Sequence, residues 1–260
     1  MGMPFDISYV FDYFVKLLPY IRITLTIVGC SLLIGLGIGL LVALPRMYRI
    51  PVLQRFSQVY VSFFRGTPIL IQLFLFYYGM PEMLKLIHID VTKVPALYFV
   101  IFAYALHTGA FLSEAIRGAV GAVDRGQVEA AYAVGMTGYQ AFGRIVLPQA
   151  LGIAIPVFAN LVIAVLKDTS LAFSLGIMEL TGKSQTLPTM SQHFVEAYLS
   201  LALIYFLISF ALEKAFFVLE RRLLRYEGGH DKASRAPSGR KWLNRRFSAG
   251  LELRKEGARP

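Results

Sequence analysis

Five apolar runs constrain this chain more than anything else in it. They lie at about Ile21–Leu44, Phe56–Tyr78, Val94–Ala115, Ile145–Leu166 and Ala197–Leu219. An α-helix needs roughly 20 residues to cross the hydrocarbon core of a bilayer, and each run is near that length. Inside lipid every backbone N–H and C=O must be paired within the protein, so apolar runs of this length predict helices. The expected fold is an all-α membrane protein with five transmembrane helices. Composition agrees: the 260 residues are 56% hydrophobic, with a mean hydropathy of +0.59, whereas soluble domains sit at about 45–50% apolar. Arg65 interrupts the second run, and Glu114 and Arg117 mark the edge of the third.

Charge sets the expected orientation. Only 16% of the residues are charged, yet the formal net charge is +10. Basic charge on so apolar a chain points to a membrane face and its lipid, not to nucleic acid. With the loop after the first run taken as cytosolic, Arg46, Arg49, Arg55, Arg65, Arg117, Arg125 and Arg144 fall inside. Lys16, Arg22, Lys85, Lys93, Lys167 and Lys183 fall outside. That split is nearly even; the short first loop and the cluster Arg221, Arg222 and Arg225 decide it. The N-terminus is then outside and the C-terminus inside.

The chain divides accordingly into an extracellular segment 1–20, a transmembrane domain 21–227 and a flexible basic cytosolic tail 228–260. The tail is rich in Gly, Ser, Pro and charge. Its Lys241, Trp242, Arg245, Arg246 and Phe247 mix base with aromatics as a lipid contact does, although a solubilising disordered tail fits the composition better. The single cysteine, Cys30, excludes an intramolecular disulfide and a cysteine metal cluster. Asp6 and Asp12 near the N-terminus argue against a cleaved signal peptide.

Between the third and fourth runs lies a polar, glycine-marked segment, Glu129–Pro148, within a loop at 124–148. Asp124 followed three residues later by Gln127 is a capping-box-like helix start. Ala130, Ala131 and Ala133 favour helix and allow close approach. Gly135 and Gly138 permit a turn. Pro148 stands where the next membrane helix begins, a position that tolerates proline. The segment predicts two short helices at an angle, projecting from the membrane.

The order Glu129-Ala130-Ala131, Gly135, then Ile145, Leu147 and Pro148 resembles the EAA loop of bacterial ABC importer permeases. Further matches sharpen this. Phe64-Arg65-Gly66-Thr67-Pro68 followed by Gln72–Gly79, the Thr24-Leu25-Thr26 start of the first run, and Leu166-Lys167-Asp168-Thr169-Ser170-Leu171 all resemble the polar amino-acid permeases of the histidine, glutamine and cystine group. The resemblance spans about residues 20–220 and leaves out the tail. It implies a type I ABC importer permease in the bacterial cytoplasmic membrane: a five-helix subunit that pairs with a second copy or a paralogue. It also implies cytosolic ATPase subunits at the EAA loop and an extracellular solute-binding protein that delivers the amino acid. Glu129, Ala130, Ala131, Gly135, Ile145, Leu147 and Pro148 are then the expected coupling residues. The chain has no G-x-x-x-x-G-K-[ST] loop, so ATP and magnesium are expected on the partner subunits, with no catalysis and no cofactor here.

Candidate substrate residues follow from the cost of placing ionisable groups in membrane spans. Lys167 and Asp168 interrupt an apolar stretch. A helix broken there would expose backbone dipoles suited to a zwitterion, with Lys167 toward a carboxylate and Asp168 toward an ammonium. The plainer reading has the two charges simply ending span four at the outer surface. Asn160 lies about two turns earlier, and Thr169, Ser170, Arg65 and Gln72 complete the expected pathway set. Gly29, Gly35, Gly37 and Gly39 predict close helix packing. His107 and Glu114 share a helical face as a packed or hydrogen-bonded pair, and Tyr77, Tyr78, Tyr98 and Tyr198 read as interfacial anchors. The competing functions are an ion-coupled secondary transporter or channel and a membrane enzyme. The first would need buried charge across several helices or an internal repeat, and the second an HExxH, GxSxG or paired-carboxylate motif; none is visible.

Overall fold

The computed structural model describes residues 4–224. The expectations for the tail at 228–260 therefore lie outside the described residues. All regular structure among these is helical. Four stretches are long and apolar enough to cross a membrane, and a sharply bent helix pair makes a fifth.

The chain starts as helix before the first apolar run. Helix α1 (Ile7–Leu17) is capped by Asp6, whose side chain accepts from the Ser8 N–H at 2.9 Å. The Ser8 hydrogen bonds hold the Asp6 carboxyl below its usual range. A 3₁₀ turn at Leu18–Tyr20 joins α1 to α2 (Ile21–Met47) without a non-helical residue between them. The segment before the first apolar run thus holds a docked helix. Ser200 donates to the Val10 carbonyl, the Asp6 N–H donates to Glu196, Tyr9 stacks on His193, and Tyr13 meets Ser191. Each of these partners lies about 180 residues away, which hides the docking from sequence.

The second apolar run is where the structure departs most from expectation. Helix α3 (Pro51–Gly66) stops at Gly66. Thr67 takes an extended conformation, as residues before proline do, and Pro68 has no N–H to offer the helix. Helix α4 (Ile69–Phe74), a π turn (Leu75–Gly79) and α5 (Met80–Lys85) then leave at 111° to α3. The second limb runs beside α6 (Ala96–Gly121). Gln72 meets His107, Phe76 meets Phe102 and Tyr77 meets Phe99, antiparallel to α6. The first limb turns away from the second, and Arg65 at its end reaches Glu114, which Arg46 in the last turn of α2 also meets. Run two is therefore two limbs with a sharp break between them, not one helix over Phe56–Tyr78.

Helix α6 sits at the centre, with 56% of its most apolar window buried against 22–33% for the other unbroken spans. Its closest neighbour is α2. A Cβ on Gly39 would lie 2.8 Å from Leu112 Cβ, and one on Gly35 would collide with Thr108 Oγ1, so these two glycines let the helices touch. Gly29 and Gly37 meet nothing within 4 Å and do no such work in this chain. His107 and Glu114 have separate partners: His107 bonds Gln72 Oε1 at 3.0 Å, and Glu114 pairs with Arg46 and Arg117.

The later elements are α7 (Arg125–Ala133), α8 (Gly138–Ala141), a π turn (Phe142–Val146) and α9 (Leu147–Asp168). A 3₁₀ stretch (Thr169–Leu175), α10 (Leu180–Thr186) and α11 (Phe194–Leu224) complete the order.

Candidate functional site

The loop between α6 and α9 is ordered by its own caps. Asp124 accepts from the Gly126 N–H at 2.9 Å and starts α7. The second half of the expected capping box is absent: Gln127 accepts instead from Gln149 Nε2 at 2.6 Å, across 22 residues. That bond ties the start of α7 to the first turn of α9. The capping box stands at Thr137 and Gln140, where each side chain bonds the other's backbone N–H.

Helix α7 ends where Gly135 takes φ +82°, with Met136 N–H bonding the Ala131 carbonyl and Gly135 N–H bonding that of Tyr132. This is the αL helix stop that glycine permits without steric cost. The turn is at the expected residue. The expected second short helix is different: α8 continues through the π turn into α9, so Gly138–Leu175 is helical throughout.

Val128 packs on a cluster of Ala119, Val123, Val146 and Ala150, which seats α7 on the end of α6 and the start of α9. This sorts the expected coupling residues. Glu129, Ala130 and Gly135 are exposed, as are Leu147 and Pro148 on the first turn of α9. Ala131 is buried within the chain itself, and Ile145 is half-buried with its carbonyl bonded to Gln149. Sequence reasoning passed over Tyr132, Val134 and Tyr139, the last two 75% and 90% exposed. Apolar side chains so bare on a polar loop were the available clue.

The expected substrate residues separate into two places. Arg65 belongs to the ionic cluster toward the C-terminal end of α6, 3.9 Å from Glu114 and over the ring of Phe111. Gln72 is fully buried; its Nε2 donates to the Phe64 and Thr67 carbonyls at 2.9 and 3.0 Å, groups the helix break leaves without an N–H. Helix α4, which carries Gln72, packs through Ile69 and Leu73 on the core that Ala172 and Leu175 enter from the 3₁₀ stretch after Asp168.

The residues around position 168 do group. Asn160 and Lys167 lie seven apart on one exposed face of α9. Asp168 is half-buried, and its backbone carbonyl accepts from the buried Tyr104 hydroxyl. Thr169 is buried and bonds the Leu166 carbonyl at 2.6 Å, while Ser170 is half-buried. The helix is not broken at Lys167–Asp168, as the dipole argument required. It tightens to 3₁₀ geometry and runs to Leu175, and the chain turns only at Gly176, φ +78°. Just beyond, fully buried Glu179 accepts from Gly182 N–H at 2.9 Å, Tyr205 hydroxyl at 3.3 Å and Thr24 hydroxyl at 3.4 Å. It joins α2, α10 and α11 at one carboxylate.

The arrangement is a membrane helix bundle with an exposed, capped loop seated on two of its helices. Comparison with known proteins agrees. The chain is 48% identical to the L-cystine transport system permease protein TcyL of Bacillus subtilis (strain 168), over 86% of this chain and 93% of that protein. It is 40% identical to the probable amino-acid ABC transporter permease protein PatM of Vibrio harveyi, over 78% and 89%. A crystal structure described as an amino acid ABC transporter with histidines superposes with a TM-score of 0.76 at 30% identity, covering 85% of this chain and all of that one. Residues 35–225 match the binding-protein-dependent transport system inner membrane component family. The chain belongs to that family and has the type I ABC importer permease fold.

Proposed function

We propose that this chain is the non-catalytic permease subunit of an ATP-driven importer of a polar amino acid, with cystine the first cargo to test. The observation that carries the reading is the coupling loop: a short capped helix seated on α6 and α9 that turns Glu129, Tyr132, Val134 and Tyr139 outward. Such a surface fits a groove on a cytosolic ATPase subunit. Glu129 supplies the charge, Ala130 close approach, and the three apolar side chains the buried area. ATP and magnesium belong to that partner. The cargo follows from the amino-acid permeases to which the chain is similar, one of them a cystine system.

A second permease copy or paralogue and an extracellular solute-binding protein complete the assembly. The N-terminus is outside and the C-terminus inside. Closure of the ATPase dimer pushes α7 and α8, and α8 passes the push into α9 without an intervening loop. Asn160, Lys167 and Asp168 face the translocation path, where Lys167 meets a substrate carboxylate and Asp168 an ammonium. The test is charge reversal, Glu129→Lys, in cells assayed for labelled cystine and glutamine uptake. Uptake should fall to background and the ATPase should no longer co-purify, with permease levels in the membrane unchanged. Normal uptake in that variant sinks the proposal.

A further inference from the structure

The surface helix α3 divides into three sectors. Val61, Phe64 and Ser57 are buried against the bundle, where Val61 and Phe64 pack on Ala110, and Tyr60 donates to the Leu106 carbonyl at 2.5 Å. Gln58, Ser62 and Arg65 form a polar side. The third sector is Val52, Phe56, Val59 and Phe63, spaced four, three and four apart. All four are exposed, Phe56 at 74% and Val59 at 70%. At 100° per residue these four form one stripe, and Arg55 stands on its edge, between stripe and polar side.

Of the arginines around α3, two are already used: Arg46 and Arg65 face Glu114. Arg55 and Arg49 are exposed and have no hydrogen-bond or salt-bridge partner among the described residues. Arg49 sits in the turn before α3 with φ 54°. A shallow groove of about 360 Å³ is lined by Val52, Arg55, Phe56 and Val59. An apolar stripe edged by unpaired cations, on a helix bent by 111° from the limb that runs beside α6, is the pattern of an interfacial helix on an anionic membrane surface. The stripe enters the acyl boundary, and the rim arginine bends its head to phosphate.

We infer that α3 is a lipid-recognition helix: Arg49 and Arg55 bind anionic phospholipid headgroups of the cytoplasmic leaflet, while Val52, Phe56, Val59 and Phe63 enter the acyl region. The leaflet follows from the proposed orientation; the choice of anionic lipid does not. Each arginine near an anionic surface is worth about 1 kcal/mol, roughly a fivefold preference.

The experiment uses the full chain, co-purified with its ATPase and reconstituted into vesicles. A bimane label is placed by Val59→Cys in a Cys30→Ala background. Quenching is compared between brominated phosphatidylglycerol and brominated phosphatidylcholine at equal mole fraction. The expected result is strong quenching by both, with the anionic lipid favoured by at least about fivefold in apparent affinity. Arg49→Gln with Arg55→Gln should bring that ratio to about one and leave the quenching by phosphatidylcholine in place. Equal quenching by the two lipids in the parent, or a ratio unmoved by the double substitution, overturns the assignment. So does an unquenched label together with disulfide cross-linking of the unlabelled Val59→Cys variant to a second copy, which makes the stripe a protein contact. Uptake is not the readout, so a failed transport reading and a failed lipid reading remain separable.

Discussion

Substituting the glycines of α2 one at a time tests the packing of the bundle. Gly35 and Gly39 face α6; Gly29 and Gly37 face open space. An alanine at 35 brings its Cβ onto Thr108 Oγ1, 3.1 Å from the Ala105 carbonyl oxygen and 3.2 Å from the Gly109 nitrogen. Backbone atoms cannot rotate away, so the two helices must part. Overpacking of this kind costs about 1–3 kcal/mol. The Thr108 hydroxyl lies 2.8 Å from the Tyr104 carbonyl and 3.1 Å from that of Ser31. Turning it aside gives up a hydrogen bond worth about 0.5–1.5 kcal/mol. Together these make about 2–4 kcal/mol for Gly35→Ala, or on the order of 10 °C in unfolding temperature for a chain of this size. Gly39→Ala should behave similarly, since its Cβ meets Leu112 Cβ and two backbone atoms. Gly37→Ala and Gly29→Ala should be neutral or slightly stabilising, because alanine favours helix. Thermal unfolding of the four variants in one detergent, followed by tryptophan-independent thiol labelling of Cys30, reads the difference. Equal unfolding temperatures for Gly35→Ala and Gly37→Ala would refute the packing argument.

Three other outcomes follow from buried polar groups and from the face of α9. Gln72→Ala removes the donor to the Phe64 and Thr67 carbonyls and should destabilise by about 1–3 kcal/mol, measured by thermal unfolding; the proteolytic pattern should show new cleavage near Gly66. Glu179→Leu leaves Gly182 N–H, Thr24 and Tyr205 without their shared acceptor and should cost about 2–4 kcal/mol, while Glu179→Gln, which keeps an oxygen for Gly182, should lose less than half of that. Asp168→Asn and Asn160→Ala should raise the apparent KM for uptake by about tenfold or less, the loss of one charged or polar contact, with membrane levels unchanged; unchanged KM in both removes these residues from the path.

What sequence could reveal here followed the range of the interactions. The crossing helices were legible because hydropathy is a local property: three of the five runs lie within the spans found, and a fourth, Val94–Ala115, starts just ahead of its span at Ala96. The Gly135 turn was legible because a positive φ has few residue types to choose from. The break at Gly66–Pro68 was marked by Arg65 and Pro68, but its 111° angle depends on Gln72, eight residues from the carbonyl it caps, and on Tyr60 meeting α6. Docking of α1 rests on Glu196, His193 and Ser200, far along the chain. Glu179 was invisible for the same reason, since its partners come from three separate helices. Local order gave the elements; the pairings that decide which polar residues are structural came only with the fold.

The unbroken helical path from Gly138 to Leu175 makes the fourth span a lever arm. Tyr139 and Asp168 are 29 residues apart, about 44 Å along a helix axis. A tilt of about 5° imposed at the inner end swings the far end by roughly 4 Å, enough to open or occlude a path the width of an amino acid. Such an arm transmits only as well as its compliant points, and it has two: the π turn at Phe142–Val146, where one extra residue loosens the hydrogen-bond register, and Pro156, which has no N–H for the helix ladder. Under the proposed coupling, stiffness at these two points sets how much of a stroke at the loop arrives at the far end of α9 as motion and how much is absorbed on the way.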